Sequence, residues 1–330
     1  MTETEFETLI KTAPPNLSIV DGMTKARAVL SQHRRVAVSV SGGSDSDTIL
    51  DLIETVKPDD CEIAYVFFDT GLEYAASKHQ LEYLEMRYDI KIERRRAKKT
   101  VAVACREYGV PFISKDVSSY LSRLQTHKFD WRDSAEIATP EKYGACKSAL
   151  DWYFDRRSAS ATGKAMFSIG RYNMLRDFVS ANPPTFAVSD KCCYYAKKRV
   201  AYEFNREYKP DLIVTGMRRA EGGRRAGSIK TCFSQGKNSE PDNYRPIWYW
   251  TDADKAAYKD WRGLRYSDCY EVWGMKRTGC VGCPCNSAAE RELEIVEQYE
   301  PQLVKAARNI FGASYEYRTA YTEFKQQNRK

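Results

Sequence analysis

Two groups of residues have the types and spacing that chemistry requires. The first is Ser41-Gly42-Gly43-Ser44-Asp45-Ser46, small and hydroxylic with one carboxylate. Paired glycines accept positive φ, so successive backbone N–H groups can turn toward a single anion. Ser41 and Ser46 add hydroxyl donors, and Asp45 is placed to hold Mg²⁺ or to cap a following helix. No lysine follows the glycines, so this is neither the loop that grips a γ-phosphate nor a G-x-G-x-x-G. The second group is sulfur. The chain has ten cysteines, many for a reducing compartment, where disulfides are disfavoured. Cys192 and Cys193 are adjacent, and Cys280-Val281-Gly282-Cys283 is a CxxC followed by Pro284 and Cys285. Four soft thiolates, Cys192, Cys193, Cys280 and Cys283, suffice to close one iron–sulfur or zinc site. Zinc more often takes two separated CxxC knuckles, free thiols are a third reading, and Cys285 either replaces a neighbour or stays outside. Only His33, His79 and His127 are histidines, and none is near these motifs, so no histidine base is expected.

These groups need a frame to hold them. Arg35 to Val40 (RVAVSV) is a β-branched run that ends on the glycine loop. Beyond the loop, Ile49, Leu52, Ile53 and Val56 fall on one helical face. Glu62 to Phe68 (EIAYVFF) reads as a second strand, ending at Asp69-Thr70-Gly71 and followed by a helix over 73–88. Asp89 to Glu93 (DIKIE) reads as a third strand and Asp211 to Thr215 (DLIVT) as a later one, ending at Gly216. Strands alternating with helices predict an α/β fold, a doubly wound, mostly parallel sheet with helices on both faces. A helical insertion over 115–186 and a helical C-terminal tail complete it. The expected division is a helical segment 1–34, a nucleotide-binding and iron–sulfur domain 35–285, and a tail 286–330 packed on that domain. The tail's stripe of Leu293, Val296, Tyr299, Leu303, Ala307 and Ile310 reads as core, with Pro301 allowing a break.

Apolar residues make up 42% of the 330 and charged residues 29%, ordinary for a folded domain. The net charge of +7 suits anionic small molecules as well as nucleic acid. No apolar run approaches the roughly 18 residues of a membrane span, and the start MTETEFETLIK is acidic and amphipathic, unlike a signal peptide. A cytoplasmic protein with no membrane partner is expected. Cys61, Cys105, Cys146, Cys232 and Cys269 read as buried structural thiols. The basic aromatic stretches 128–132, 152–157 and 244–250 are candidates for stacking nucleic-acid bases, with core packing as the alternative.

SGGSDS after VAVSV resembles the PP-loop signature of adenine-nucleotide α-hydrolases, and the wider resemblance is to the phosphoadenosine and adenosine phosphosulfate reductase family. Phe67-Phe68-Asp69-Thr70-Gly71 resembles that family's second-strand motif, which implies adenosine near Asp69, Thr70 and Gly71. Gly216-Met217-Arg218-Arg219-Ala220-Glu221 with Arg224 resembles its phosphate-contacting stretch, with Gly222 where serine is usual. Arg245-Pro246-Ile247, Trp250 and Asp254 resemble its RPIxxW segment and trailing acid. The vicinal pair and distant CxxC resemble the ligands of that family's 4Fe-4S cluster, and Lys197 matches a lysine that links cluster and substrate charge. The implied site has phosphates on Ser41, Gly42, Gly43, Asp45 and Ser46 with Gly216. Asp45, Lys197, Arg218 and Arg224 then manage charge.

Reductases of this family carry their nucleophilic cysteine in a C-terminal ECGxH, whereas 286–330 here contains neither cysteine nor histidine. The resemblance then favours ATP chemistry. An acceptor oxygen attacks the α-phosphorus, pyrophosphate leaves, and sulfur displaces AMP from the adenylated acceptor. The implied ligands are ATP or adenosine phosphosulfate, Mg²⁺ and a 4Fe-4S cluster, with a sulfur or electron donor protein as partner. The sulfur acceptor would be a nucleobase, a nucleic acid or a small molecule. Phosphosulfate reduction is the second expectation, and a non-catalytic accessory module of a phage, defence or CRISPR-associated system the third.

Overall fold

The computed structural model describes residues 1–156, 168–222, 227–238 and 240–328. Packing groups the chain into two compact units, Met1–Ala97 with Lys197–Gly279 and Lys98–Ala196 with Cys280–Lys330.

The first unit is built on a six-stranded sheet of order β3-β2-β1-β4-β6-β5. Its strands are β1 (Arg35–Ser39), β2 (Glu62–Asp69), β3 (Ile92–Arg96), β4 (Leu212–Thr215), β5 (Phe233–Ser234) and β6 (Asp242–Tyr244). All neighbours run parallel except β5 and β6. Alternate strand residues point to opposite faces, and both faces are covered. Val36, Val38, Tyr65, Phe67, Leu212 and Val214 join the core that includes Ile49, Leu52, Ile53 and Val56 of the helix Ser44–Val56. Ala37 and Val66, in between them along β1 and β2, pack with Phe204 of the helix Arg199–Tyr208. The doubly wound, mostly parallel sheet is thus present.

Two details differ from the sequence reading. The third strand begins at Ile92, because Asp89 takes a left-handed conformation (φ 49°) as the C-cap of the helix Ala75–Tyr88. That cap uses residues which alternation assigns to a strand. The antiparallel β5–β6 edge was not expected, since Asp242-Asn243-Tyr244 has a polar composition that β-propensity does not pick out.

The second unit is helical. Phe129, Trp152 and Tyr153 are buried in its core together with Leu121, Leu150 and Phe178. In the first unit, Tyr244, Trp248 and Trp250 are buried as well, while Tyr249 is 52% exposed. Most rings of the aromatic stretches are therefore packed inside and offer no face to a base; Arg157 lies outside the described residues. Pro301 opens the long helix Pro301–Gln327 after a break at Glu300. Leu293, Val296 and Ala307 are buried as expected of the tail stripe, but Tyr299 is 44% exposed. Among the described residues, no helix is long and apolar enough to cross a membrane.

Candidate functional site

Strand order reverses between β1 and β4, the position where open α/β sheets bind ligands beyond the carboxyl ends of their strands. The glycine loop lies there. Gly42 adopts φ +65°, and an added Cβ would sit 2.5 Å from the Ser77 carbonyl oxygen, so no other residue fits. Gly216, at the end of β4, approaches so closely that a Cβ would stand 2.8 Å from the Asp45 carbonyl oxygen. The helix behind the loop begins at Ser44 and directs its positive dipole end into the loop. The N–H groups of Ser41 and Gly43 both donate to Ser46 Oγ, at 3.1 and 3.2 Å, and that hydroxyl donates to the Gly43 carbonyl at 2.8 Å. Two backbone donors thus converge on one oxygen, the arrangement an anion requires.

Charge around the loop is arranged by residues distant in sequence. Asp45 Oδ1 accepts from Arg218 Nε at 2.9 Å and from Lys255 Nζ at 2.8 Å. Lys255 also donates to Ser44 Oγ at 2.9 Å, and Arg218 Nη1 lies 2.8 Å from Asp252 Oδ1. A Mg²⁺ ion on Asp45 would have to share this oxygen with two cations or take the other one. Lys255 was missed in the sequence reading, which stopped at Asp254. Asp254 instead closes a capping box with Thr251 and accepts from Asn16 Nδ2 at 2.7 Å. The signal was present: Thr251-x-x-Asp254 marks a helix start and puts Lys255 in the first turns.

Asp47 is 2% exposed. Burial pushes its pKa up to about 8, against the opposing pull of hydrogen bonds from Gln80 Nε2 (3.0 Å) and Ser46 Oγ (3.2 Å). The folded carboxyl keeps a proton that the unfolded one releases above its ordinary value of 3.8, so stability falls as pH rises through that window. Asp47→Asn is expected to raise the melting temperature, by more at pH 8 than at pH 5. A gain independent of pH, or a loss, would contradict this.

Beyond β2, Asp69 Oδ1 accepts from the Gly71 N–H at 2.8 Å, and the buried Thr70 donates from Oγ1 to Glu73 at 2.6 Å. This fixes a tight turn with Gly71 at φ +81°. Lys197 lies in a π-helical turn, Tyr194–Lys198, directly after the vicinal cysteines in sequence. Arg224 is outside the described residues.

The sulfur group belongs to the second unit. The short helix Lys191–Cys193 holds the vicinal pair. The CxxC turn is set by Cys283 N–H to the Cys280 carbonyl at 3.2 Å and Asn286 N–H to the Cys283 carbonyl at 2.8 Å. The long C-terminal helix clamps it, with Tyr315 O–H donating to the Gly282 carbonyl and Arg318 to the carbonyls of Asn286 (3.0 Å) and Ser287 (2.8 Å). Hydrogen bonds to Cys105 raise the Cys192 thiol pKa, and the bond to Cys192 raises that of Cys193. Cys283 is lowered and Cys285 raised, chiefly by the hydrogen bond between them. Lys115 bonds to Cys193. Cys285 and Cys105 therefore join the sulfur group, and Lys115 supplies a cation that the sequence reading did not find. No group of three or more His, Cys, Asp or Glu among the described residues is placed to hold a metal ion. In donor chemistry, soft thiols with a neighbouring ammonium suit a thiolate-bound cluster or a single soft ion.

The phosphoadenosine phosphosulfate reductase domain model matches residues 35–164 and 167–286. Over 93 residues the chain is 41% identical to an uncharacterized protein of Methanocaldococcus jannaschii, a match covering 28% of this chain and only 19% of that protein. Among solved structures, the phosphoadenylyl-sulfate reductase of Candida auris in a phosphate complex superposes with a TM-score of 0.44 at 14% identity, covering 85% of this chain and 96% of the other. The U34-tRNA thiolase NcsA of Methanococcus maripaludis with its 4Fe-4S cluster gives 0.39 at 12%, covering 91% and 79%. Both compared structures are enzymes. With the family model spanning the glycine loop, the sheet and both cysteine motifs, the chain belongs to the phosphoadenosine phosphosulfate reductase domain family.

Proposed function

We propose that the chain binds ATP at residues 41–46 and transfers its adenylyl group to an acceptor oxygen, preparing the acceptor for sulfur transfer. The observation that carries this reading is the convergence of the Ser41 and Gly43 N–H groups on one point, Ser46 Oγ, beside Arg218 and Lys255. Attack on the α-phosphorus breaks the bond to pyrophosphate, and the electron pair leaves on pyrophosphate oxygen. The loop N–H groups, the helix end and the two cations stabilise that developing charge. Such chemistry depends on positioning and electrostatics more than on a histidine base. Lys197 and Arg224 add positive charge, and Asp45 would hold a Mg²⁺ ion, which when bound would supply further charge neutralisation for the phosphates.

In this reading Cys192, Cys193, Cys280 and Cys283 hold a 4Fe-4S cluster, which when bound supplies a soft centre that carries sulfur or electrons. A sulfur or electron donor protein completes the cycle. Phosphosulfate reduction is the second reading, favoured by the family match itself.

The test uses α-labelled ATP with candidate acceptors, run anaerobically. Release of pyrophosphate with the label carried on the acceptor is the expected result, and AMP is released once a sulfur donor is added. Incubation with adenosine phosphosulfate that leaves an S-sulfo adduct on a cysteine would establish the reductase instead. Neither product would leave a nucleotide-binding accessory module.

A further inference from the structure

Arg218 and Arg245 are the two arginines less than a tenth exposed among the described residues, at 6% and 8%. Their surroundings differ. Arg218 is flanked by Asp45 and Asp252, whose charges raise its pKa. Arg245 has no carboxylate partner among the described residues, and burial pulls its pKa below the ordinary arginine value. Its Nη1 donates to Ser234 Oγ at 3.2 Å, while its buried Nε has no acceptor. Three residues on, the indole N–H of the fully buried Trp248 also lacks an acceptor.

Arg245 is held through its backbone on both sides. It follows β6 directly, on a strand parallel to β4 with Val214 opposite Tyr244, so it stands at the carboxyl end of the sheet. Its N–H donates to the Cys232 carbonyl at 2.8 Å, and the Trp248 N–H donates back to the Arg245 carbonyl at 3.1 Å. The Trp248 carbonyl in turn accepts from Arg219 N–H at 2.9 Å, which ties this turn to the residue after Arg218.

A guanidinium stays charged in a protein and has donors only. Buried without a counter-charge, it is a costly element of a fold. Among the described residues, two buried donors lack an acceptor and one buried guanidinium lacks a counter-charge at the carboxyl edge of an α/β sheet, a set that suits a ligand that is anionic and acceptor-only. We propose that Arg245 anchors an anion subsite that takes a tetrahedral oxyanion, phosphate or sulfate. Binding exchanges the single neutral hydroxyl of Ser234 for charged oxygens, which match the planar fork of the guanidinium. The oxyanion is either free or carried on an adenine nucleotide, and in the second case the proposal rests on the nucleotide reading above.

The test is thermal unfolding and calorimetric titration of the full chain with Arg245→Met and Arg245→Gln. In buffer free of multivalent anions, Arg245→Met is expected to melt no lower than the wild type, because it removes a buried unpaired charge. Saturating sulfate or pyrophosphate should raise the wild-type melting temperature by about 3 °C or more, the scale set by ligand linkage. Both variants should lose most of that rise. A marked fall for Arg245→Met without anion, or equal anion stabilisation of all three proteins, would overturn the proposal. Sulfate and pyrophosphate form one arm, and AMP and adenosine 3′,5′-bisphosphate the other. Arg245-dependence with the inorganic anions assigns a free oxyanion, and dependence confined to a nucleotide assigns the carried group. If the wild type binds sulfate through Arg245 but no adenine nucleotide, the subsite stands and the nucleotide reading falls.

Discussion

Protein purified without oxygen is expected to be brown, with about four irons per chain, and Cys283→Ser is expected to lose most of that iron. Cys283 lies in the CVGCPC loop among sulfur and charged groups. It is hydrogen-bonded to Cys285 and lies within electrostatic reach of Cys193 and Lys115. Its loop is held from behind by Tyr315 and Arg318, so a serine would present a hard oxygen at a fixed point where a soft ligand is wanted. The loop does not have to collapse for the iron to be lost. Cys285→Ser should keep most of the iron, since Cys192, Cys193, Cys280 and Cys283 remain. Iron and acid-labile sulfide assays with the visible spectrum read the outcome. Stoichiometric zinc without iron would sink the cluster assignment, and equal loss in both variants would place Cys285 among the ligands.

Gly43→Val should reduce ATP affinity by about a hundredfold, roughly 2.8 kcal/mol. Gly43 has an ordinary extended conformation as the N-cap of its helix (φ −97°), so valine adds no backbone strain of the kind it would meet at Gly42. What it removes is space. A Cβ there would lie 3.1 Å from Thr278 Oγ1, 3.2 Å from Ser41 Oγ and 3.3 Å from the Tyr270 hydroxyl. Valine's methyl groups would crowd these three hydroxyls and occupy space through which a phosphate has to approach the loop backbone. Calorimetric titration with a non-hydrolysable ATP analogue measures the change, with circular dichroism to confirm folding. Undiminished affinity in a folded variant would move the nucleotide away from this loop.

Local sequence was enough to reveal the parts whose form depends on a few consecutive residues. A β-branched run, two glycines and an amphipathic helix specify strand, turn and helix by sterics and periodicity alone, and β1, the loop and its helix lie where that pattern puts them. The CxxC turn is legible for the same reason. The ordered motifs also carried the family resemblance, which the match over 35–164 and 167–286 establishes.

The partners of those parts were decided by tertiary structure. Lys255 reaches Asp45 across 210 positions of sequence, and no propensity rule extends so far. Cys105 read as a structural thiol and Lys115 carried no sequence signal, yet packing of the second unit sets them against Cys192 and Cys193. Asp254, next to the lysine that matters, spends its carboxylate on a helix cap. Arg245 is the same kind of case: its residue type was visible in an RPI motif, but its lack of a carboxylate partner among the described residues appears only in the tertiary structure. Sequence determined which donors the chain possesses and the turns that present them. Which of those donors are already satisfied depended on burial and long-range pairing, because a hydrogen bond or an ion pair is a property of two groups in space.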